Sequence, residues 1–134
     1  VIVEVTIEAP VRTILLIGEI DAVRRVLGLF LERAGFAVLR ARDAGEAHSI
    51  GATAEQSIDL LLADFDAPGV DLPSIVMALR ARHPSLRVLF LSDCPVECLD
   101  DWPLADAALD VLTKPFMAAE LIERVRYAIE AGEG

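Results

Sequence analysis

Hydrophobic positions along the chain fall into short solid runs that alternate with stretches of helical spacing. Residues 1–8, VIVEVTIE, alternate apolar and polar as a half-buried strand does, and Ala9-Pro10 ends that pattern. From Thr13 the pattern becomes strand and helix in turn. The run Ile14 to Ile17 is followed by Val23, Val26, Leu27, Phe30 and Leu31 at helical spacing, with Asp21 at the expected N-cap and Gly35 closing the helix. Phe36 to Leu39 predicts a second strand. Asp43 then introduces a short Ala-rich helix over Ala44 to Ala52, which Gly45 and Gly51 weaken. Ile58 to Ala63, apolar but for Asp59, reads as a strand covered on both faces. Pro73 suits the first turn of a helix running to Arg82, with Ile75, Val76 and Leu79 inward and Pro84 beyond its end. Val88 to Leu91 and Leu109 to Thr113 predict the last two strands. Pro95 and Pro103 break the helical signal between Ser92 and Asp110, so a short or irregular helix is expected there. Leu121, Ile122, Val125 and Ile129 mark a closing amphipathic helix.

Strands alternating with helices at this period predict an α/β fold with a parallel sheet, helices on both faces and right-handed crossovers. The natural arrangement is a flavodoxin-like, doubly wound, five-stranded sheet of order 2-1-3-4-5. The expected organisation is an N-terminal arm or extra strand over residues 1–12 and one domain over 13–134.

Composition narrows the function classes. A length of 134 residues fits one compact domain, and an apolar fraction of 54% with 25% charged residues supports a packed interior. Twelve Lys and Arg against 22 Asp and Glu give a net charge of -10, a field that repels phosphate backbones, so direct nucleic-acid binding is not expected. No apolar run approaches the ~20 residues of a membrane span, and no membrane contact by this chain is expected. Cys94 and Cys98 have no neighbouring histidines at metal-ligand spacing, which favours reduced thiols in a cytoplasmic protein. The chain begins with Val1, as a processed product or a fragment of a longer protein would.

In an open parallel sheet, ligands bind outside the carboxyl ends of the strands. Gly18-Glu19 follows the first strand, Asp64 ends the third, Ser92 the fourth, and Lys114 follows the fifth. Taken singly, these are a turn carboxylate, a loop or capping carboxylate, a turn hydroxyl and a surface lysine. Together they form one acidic pocket holding a hydroxyl and an ammonium. Two carboxylates at one point call for a cation, and oxygen ligands favour Mg²⁺, which Asp64 and Glu19 would share. Lys114 would neutralise a phosphoryl group arriving on Asp64, and Ser92 would donate a hydrogen bond to it. That is the chemistry of an aspartyl phosphate.

The stretches TILLIGEIDAVRRVL, GFAVLRARDAGEA, IDLLLADFDAPGVD, LRVLFLS and VLTKPFMAAELIERVR resemble, in order and spacing, the receiver domain of a two-component response regulator. The resemblance covers residues 13–131, and Asp64 to Pro68 with Lys114 to Phe116 are its most specific parts. It implies that Asp64 is the phosphoacceptor, that Glu19 ligates Mg²⁺ directly, and that Asp66 offers a backbone carbonyl to the same ion. It also implies that Ser92 and Lys114 contact the phosphoryl group, and that the Lys114-Pro115 bond is cis. The implied partner is a histidine kinase or histidine phosphotransfer protein facing the first helix, which carries Arg24 and Arg25. A homodimer is compatible with the family, and the parent would be similar to a hybrid histidine kinase with a C-terminal receiver. Such a domain is not a conventional enzyme by itself.

Four positions depart from the family pattern. Gly18 stands where the first member of an acidic pair is usual. Leu72 replaces a common glycine, so the turn there is expected to differ or be strained. Asp93 follows Ser92 where a small residue is usual, and Val111 occupies the place of an aromatic switch residue. These departures leave open a pseudo-receiver that keeps the fold as a protein-interaction module. Asp64-Phe65-Asp66 also looks like the D-x-D of dehalogenase-like phosphatases, although that motif belongs on a first strand.

Overall fold

The computed structural model describes residues 11–65, 70–93 and 109–131. Five strands, β1 (Thr13–Ile17), β2 (Ala37–Ala41), β3 (Leu60–Asp64), β4 (Arg87–Ser92) and β5 (Leu109–Thr113), pair in parallel in the order 2-1-3-4-5. Among the described residues four helices connect or follow them: α1 (Asp21–Arg33), α2 (Ala44–Thr53), α3 (Leu72–Arg82) and α4 (Ala118–Ala131). The expected fold is therefore the observed one. The alternating segment 1–8, Cys94, Cys98 and most of the span expected to hold a short or irregular helix lie outside the described residues.

The inner strands are apolar along Ile14 to Ile17, Leu60 to Ala63 and Val88 to Leu91 because both sheet faces are covered, and the period of two sends alternate residues to opposite layers. Leu15, Ile17, Leu61, Ala63, Val88 and Phe90 pack with Ile75, Val76 and Leu79 on the face of α2 and α3. Ile14, Leu16, Leu60, Leu62, Leu89 and Leu91 pack with Leu31, Leu121 and Val125 on the face of α1 and α4. Both layers end at the carboxyl edge of the sheet, where Ile17 pairs with Ala63 and Asp64 with Leu91.

Local chemistry sets most helix ends where the pattern puts them. Asp43 caps α2 by accepting from the Glu46 N–H at 2.8 Å, and Glu46 accepts from the Arg42 N–H at 3.0 Å. Asp71 caps α3 through the Ser74 N–H. Gly35 adopts φ +100°, and the Phe36 N–H reaches back to the Leu31 carbonyl, closing α1 as a glycine C-terminus does.

Two expectations are corrected. The N-cap of α1 is Ile20, without a side-chain cap, and Asp21 is the first helical residue. The inward side of α1 carries Leu27, Gly28 and Leu31, while Val23 and Val26 are each about half exposed. Gly28 is buried because the Arg40 guanidinium lies across it, where a Cβ would meet Nη2 at 2.4 Å. Leu72 itself is a buried residue in the first turn of α3 and no described non-glycine residue has positive φ, while residues 66–69 of the preceding turn lie outside the described residues.

Gly51 is a contact requirement as well as a weak helix former. A Cβ there would fall 2.3 Å from Leu79 Cδ2, and Leu79 is itself buried. Gly51→Ala regains about 1 kcal/mol of helix propensity, against overpacking that costs about 1–3 kcal/mol. The expected result is a net loss of stability, read as a lower urea midpoint with an unchanged slope.

Candidate functional site

Three strand ends supply the site. Because β1, β3 and β5 run parallel, the residues after or at their last positions share one edge, and Asp64 and Lys114 meet there. Lys114 Nζ lies 2.8 Å from Asp64 Oδ2. The lysine is held by its backbone: its N–H donates to the Ser92 carbonyl at 2.8 Å, and the Lys114-Pro115 bond is cis, as expected. The two side chains are 27% and 37% exposed, so the pair is reachable from solvent without being fully hydrated.

Glu19, Asp64 and Lys114 line one cleft of about 380 Å³, together with Gly18, Arg24 and the apolar residues Ile20, Val23, Leu27, Leu91 and Phe116. Ser92 ends β4 one step beyond the Asp64 to Leu91 pairing, but it is buried at 2% exposure and does not line the cleft. Asp93 follows it at an exposed bend. Val111 is buried within β5. Asp66 lies outside the described residues.

The donor chemistry suits a hard divalent cation, with two carboxylates as its protein ligands among the described residues. Asp64 and Glu19 bring carboxylate oxygens to the same cleft, and both are accessible enough for water to complete a coordination shell. Gly18 adds no carboxylate, and no group of three or more His, Cys, Asp or Glu suited to a metal occurs among the described residues. Space is not the reason: a Cβ on Gly18 would meet nothing closer than Arg24 Cβ at 3.4 Å, an ordinary contact.

Arg24 is a part of the site that spacing misplaces. A basic residue on α1 reads as an outward charge, yet this side chain folds back and is only 16% exposed. Its Nη1 donates to the Gly18 carbonyl and its Nη2 to Asp21 Oδ1. The Arg24 hydrogen bond, reinforced by its charge and those of Arg42 and Arg25, holds the Asp21 carboxyl below the usual carboxylate range. Arg25, its neighbour, is exposed.

The family model described as "Response regulator receiver domain" matches residues 14–126. The chain is 30% identical over 118 residues to the Sensor kinase CckA of Brucella abortus, covering 88% of this chain and 12% of that protein. It is 29% identical over 123 residues to the phosphate regulon transcriptional regulatory protein PhoB of Pseudomonas aeruginosa, covering 86% of this chain and 50% of that one. The chain thus spans half or less of the length of these relatives. Among solved structures, the receiver domain from the hybrid histidine kinase CckA superposes with a TM-score of 0.72 at 31% identity, over 87% of this chain and 98% of that one. A response regulator from Thermotoga maritima gives a TM-score of 0.74 at 26% identity, over 90% of this chain and 99% of that one. With five parallel strands in the order 2-1-3-4-5, an aspartate and a lysine meeting at the carboxyl edge, and a family match over most of its length, the chain belongs to the response-regulator receiver domains of two-component signalling.

Proposed function

We propose that this domain accepts a phosphoryl group on Asp64 from a phosphohistidine of a partner histidine kinase or phosphotransfer protein. The observation that carries the reading is the 2.8 Å contact between Lys114 Nζ and Asp64 Oδ2 at the carboxyl edge of the sheet. An ammonium in that position holds the carboxylate oriented, then follows the negative charge as it moves onto the incoming phosphoryl oxygens. Ser92, at the end of the neighbouring strand, is the hydroxyl assigned to a phosphoryl oxygen. Glu19, Asp64 and the Asp66 carbonyl are the groups assigned to Mg²⁺, which when bound neutralises charge on the transferring group. The test is labelling by a small acyl phosphate in Mg²⁺, read as a mass gain of one phosphoryl group that Asp64→Ala abolishes.

Among the described residues no helix is long and apolar enough to cross a membrane. A cytoplasmic setting within a larger protein, such as a hybrid kinase similar to the CckA relative, belongs to the same proposal.

Gly18 favours a second reading, a receiver whose metal step is weakened and which acts more as an interaction module. Restoring the carboxylate separates the two. Because added ligand charge tightens a cation site, Gly18→Asp is expected to raise Mg²⁺ affinity about tenfold, measured by titration of the isolated chain. An unchanged affinity would place the weakness elsewhere.

A further inference from the structure

We propose that the cleft beside Asp64 selects small acyl phosphates with an apolar acyl group as direct phosphoryl donors, an inference that rests on the phosphoacceptor reading of Asp64. The cleft, at about 380 Å³, lies near the lower end of the roughly 300–1,000 Å³ typical of small-molecule sites. Its apolar lining comes from Ile20, Val23 and Leu27 on the α1 side and from Leu91 and Phe116. From Ile20 to Leu27 this lining runs about two helical turns, on the order of 10 Å, long enough for a chain of a few carbons.

The polar lining is distributed differently. Asp64 and Lys114 touch each other, and Arg24 and Glu19 join them as the charged groups of the cleft. In a chain of net charge -10, Lys114 and Arg24 are the cations that face this space among the described residues. An anionic phosphoryl head is therefore drawn to Lys114, while an apolar tail has Val23, Leu27 and Phe116 to cover. Ile20 and Val23, 65% and 49% exposed, are the surfaces such a tail would take out of water.

The transfer balances without a further reagent. A carboxylate oxygen of Asp64 forms a bond to phosphorus, the bond from phosphorus to the acyl oxygen breaks, and that electron pair leaves with the acylate. The acylate departs as an anion, so no proton has to be supplied.

The test compares initial rates of Asp64 labelling by acetyl phosphate and butyryl phosphate at equal, sub-saturating concentration in Mg²⁺, followed by intact mass. Two additional methylenes buried in the cleft predict roughly a tenfold preference for butyryl phosphate. Val23→Asn, at a half-exposed position, is expected to bring that ratio close to one, and Leu27→Asn provides an independent variant. A second readout avoids the chemistry: butylphosphonate, and not methylphosphonate, should shift the methyl resonances of Val23 and Leu27. Equal labelling by both donors, with no selective shift, overturns the proposal while leaving Asp64 as acceptor, and assigns the cleft to a phosphohistidine protein instead. No labelling by either donor overturns the phosphoacceptor reading itself, and this inference with it.

Discussion

Lys114→Ala is expected to slow the phosphorylation of Asp64 by a small acyl phosphate about a hundredfold, since removing one preorganised donor from a reacting centre costs roughly 10²–10³ in rate. The lysine is fixed by a backbone hydrogen bond to Ser92 and sits 2.8 Å from the carboxylate, so it needs little reorganisation when charge moves. Stability should hardly change. The pair is between a quarter and two-fifths exposed, and solvent screening leaves such pairs worth about 0–1 kcal/mol. Lys114→Arg is not expected to restore the rate, because a planar fork presents its donors differently from a compact ammonium. Initial labelling rates beside urea unfolding of the same variants separate the two effects. A rate within a few-fold of the parent would remove Lys114 from the mechanism.

The largest effect on folding is expected at a residue remote from the site. His83 ends α3 with its ring buried, accepting the Ile58 N–H on Nδ1 at 3.1 Å and facing the Gly51 carbonyl with Nε2 at 3.1 Å. Because Nδ1 accepts, the ring proton sits on Nε2 and donates to Gly51. One side chain thereby ties the entry to β3, the end of α3 and the last turn of α2. His83→Ala orphans a buried N–H and a buried carbonyl at about 1–3 kcal/mol each and leaves a void besides. A loss of about 3–4 kcal/mol is expected, a large share of the 5–15 kcal/mol that domains of this kind possess. Urea denaturation at constant slope measures it, and a loss below about 1 kcal/mol would mean that water replaces the ring.

How much of this was legible in the sequence depended on the distance over which each feature is decided. β1, β3 and β4 were readable because burial on both faces writes itself as unbroken apolar runs. The starts of α2 and α3 were readable because Asp43 acts within three residues of itself and Pro73 suits a first helical turn. Asp64 and Lys114 were readable as partners only through topology, since 50 residues separate them and the sheet order brings them together. The phase of α1 was misread because Val23 and Val26 are apolar yet half exposed, whereas the buried position is a glycine covered by Arg40 from β2. His83 gave no signal, its partners being 25 and 32 residues away. Leu72 packs into the core as α3 begins, a role that its apolar side chain fits and a glycine would not fill.

The departures at Gly18, Asp93 and Val111 bear on how the domain works more than on whether it folds. Gly18 gives its carbonyl to Arg24 and brings no carboxylate to the cleft that Glu19 and Asp64 line. Val111 is buried, and Arg124 from α4 holds its carbonyl at 2.8 Å while also reaching Asp110. The bond is to the backbone, and the buried aliphatic side chain offers no aromatic ring to rotate between buried and exposed positions.

The most direct measurement is intact-mass analysis after incubation of the chain with Mg²⁺ and an acyl phosphate. The account predicts a gain of one phosphoryl group, located at Asp64, absent from Asp64→Ala and strongly slowed in Lys114→Ala. No gain in the parent chain, or a gain that persists in Asp64→Ala, would contradict it.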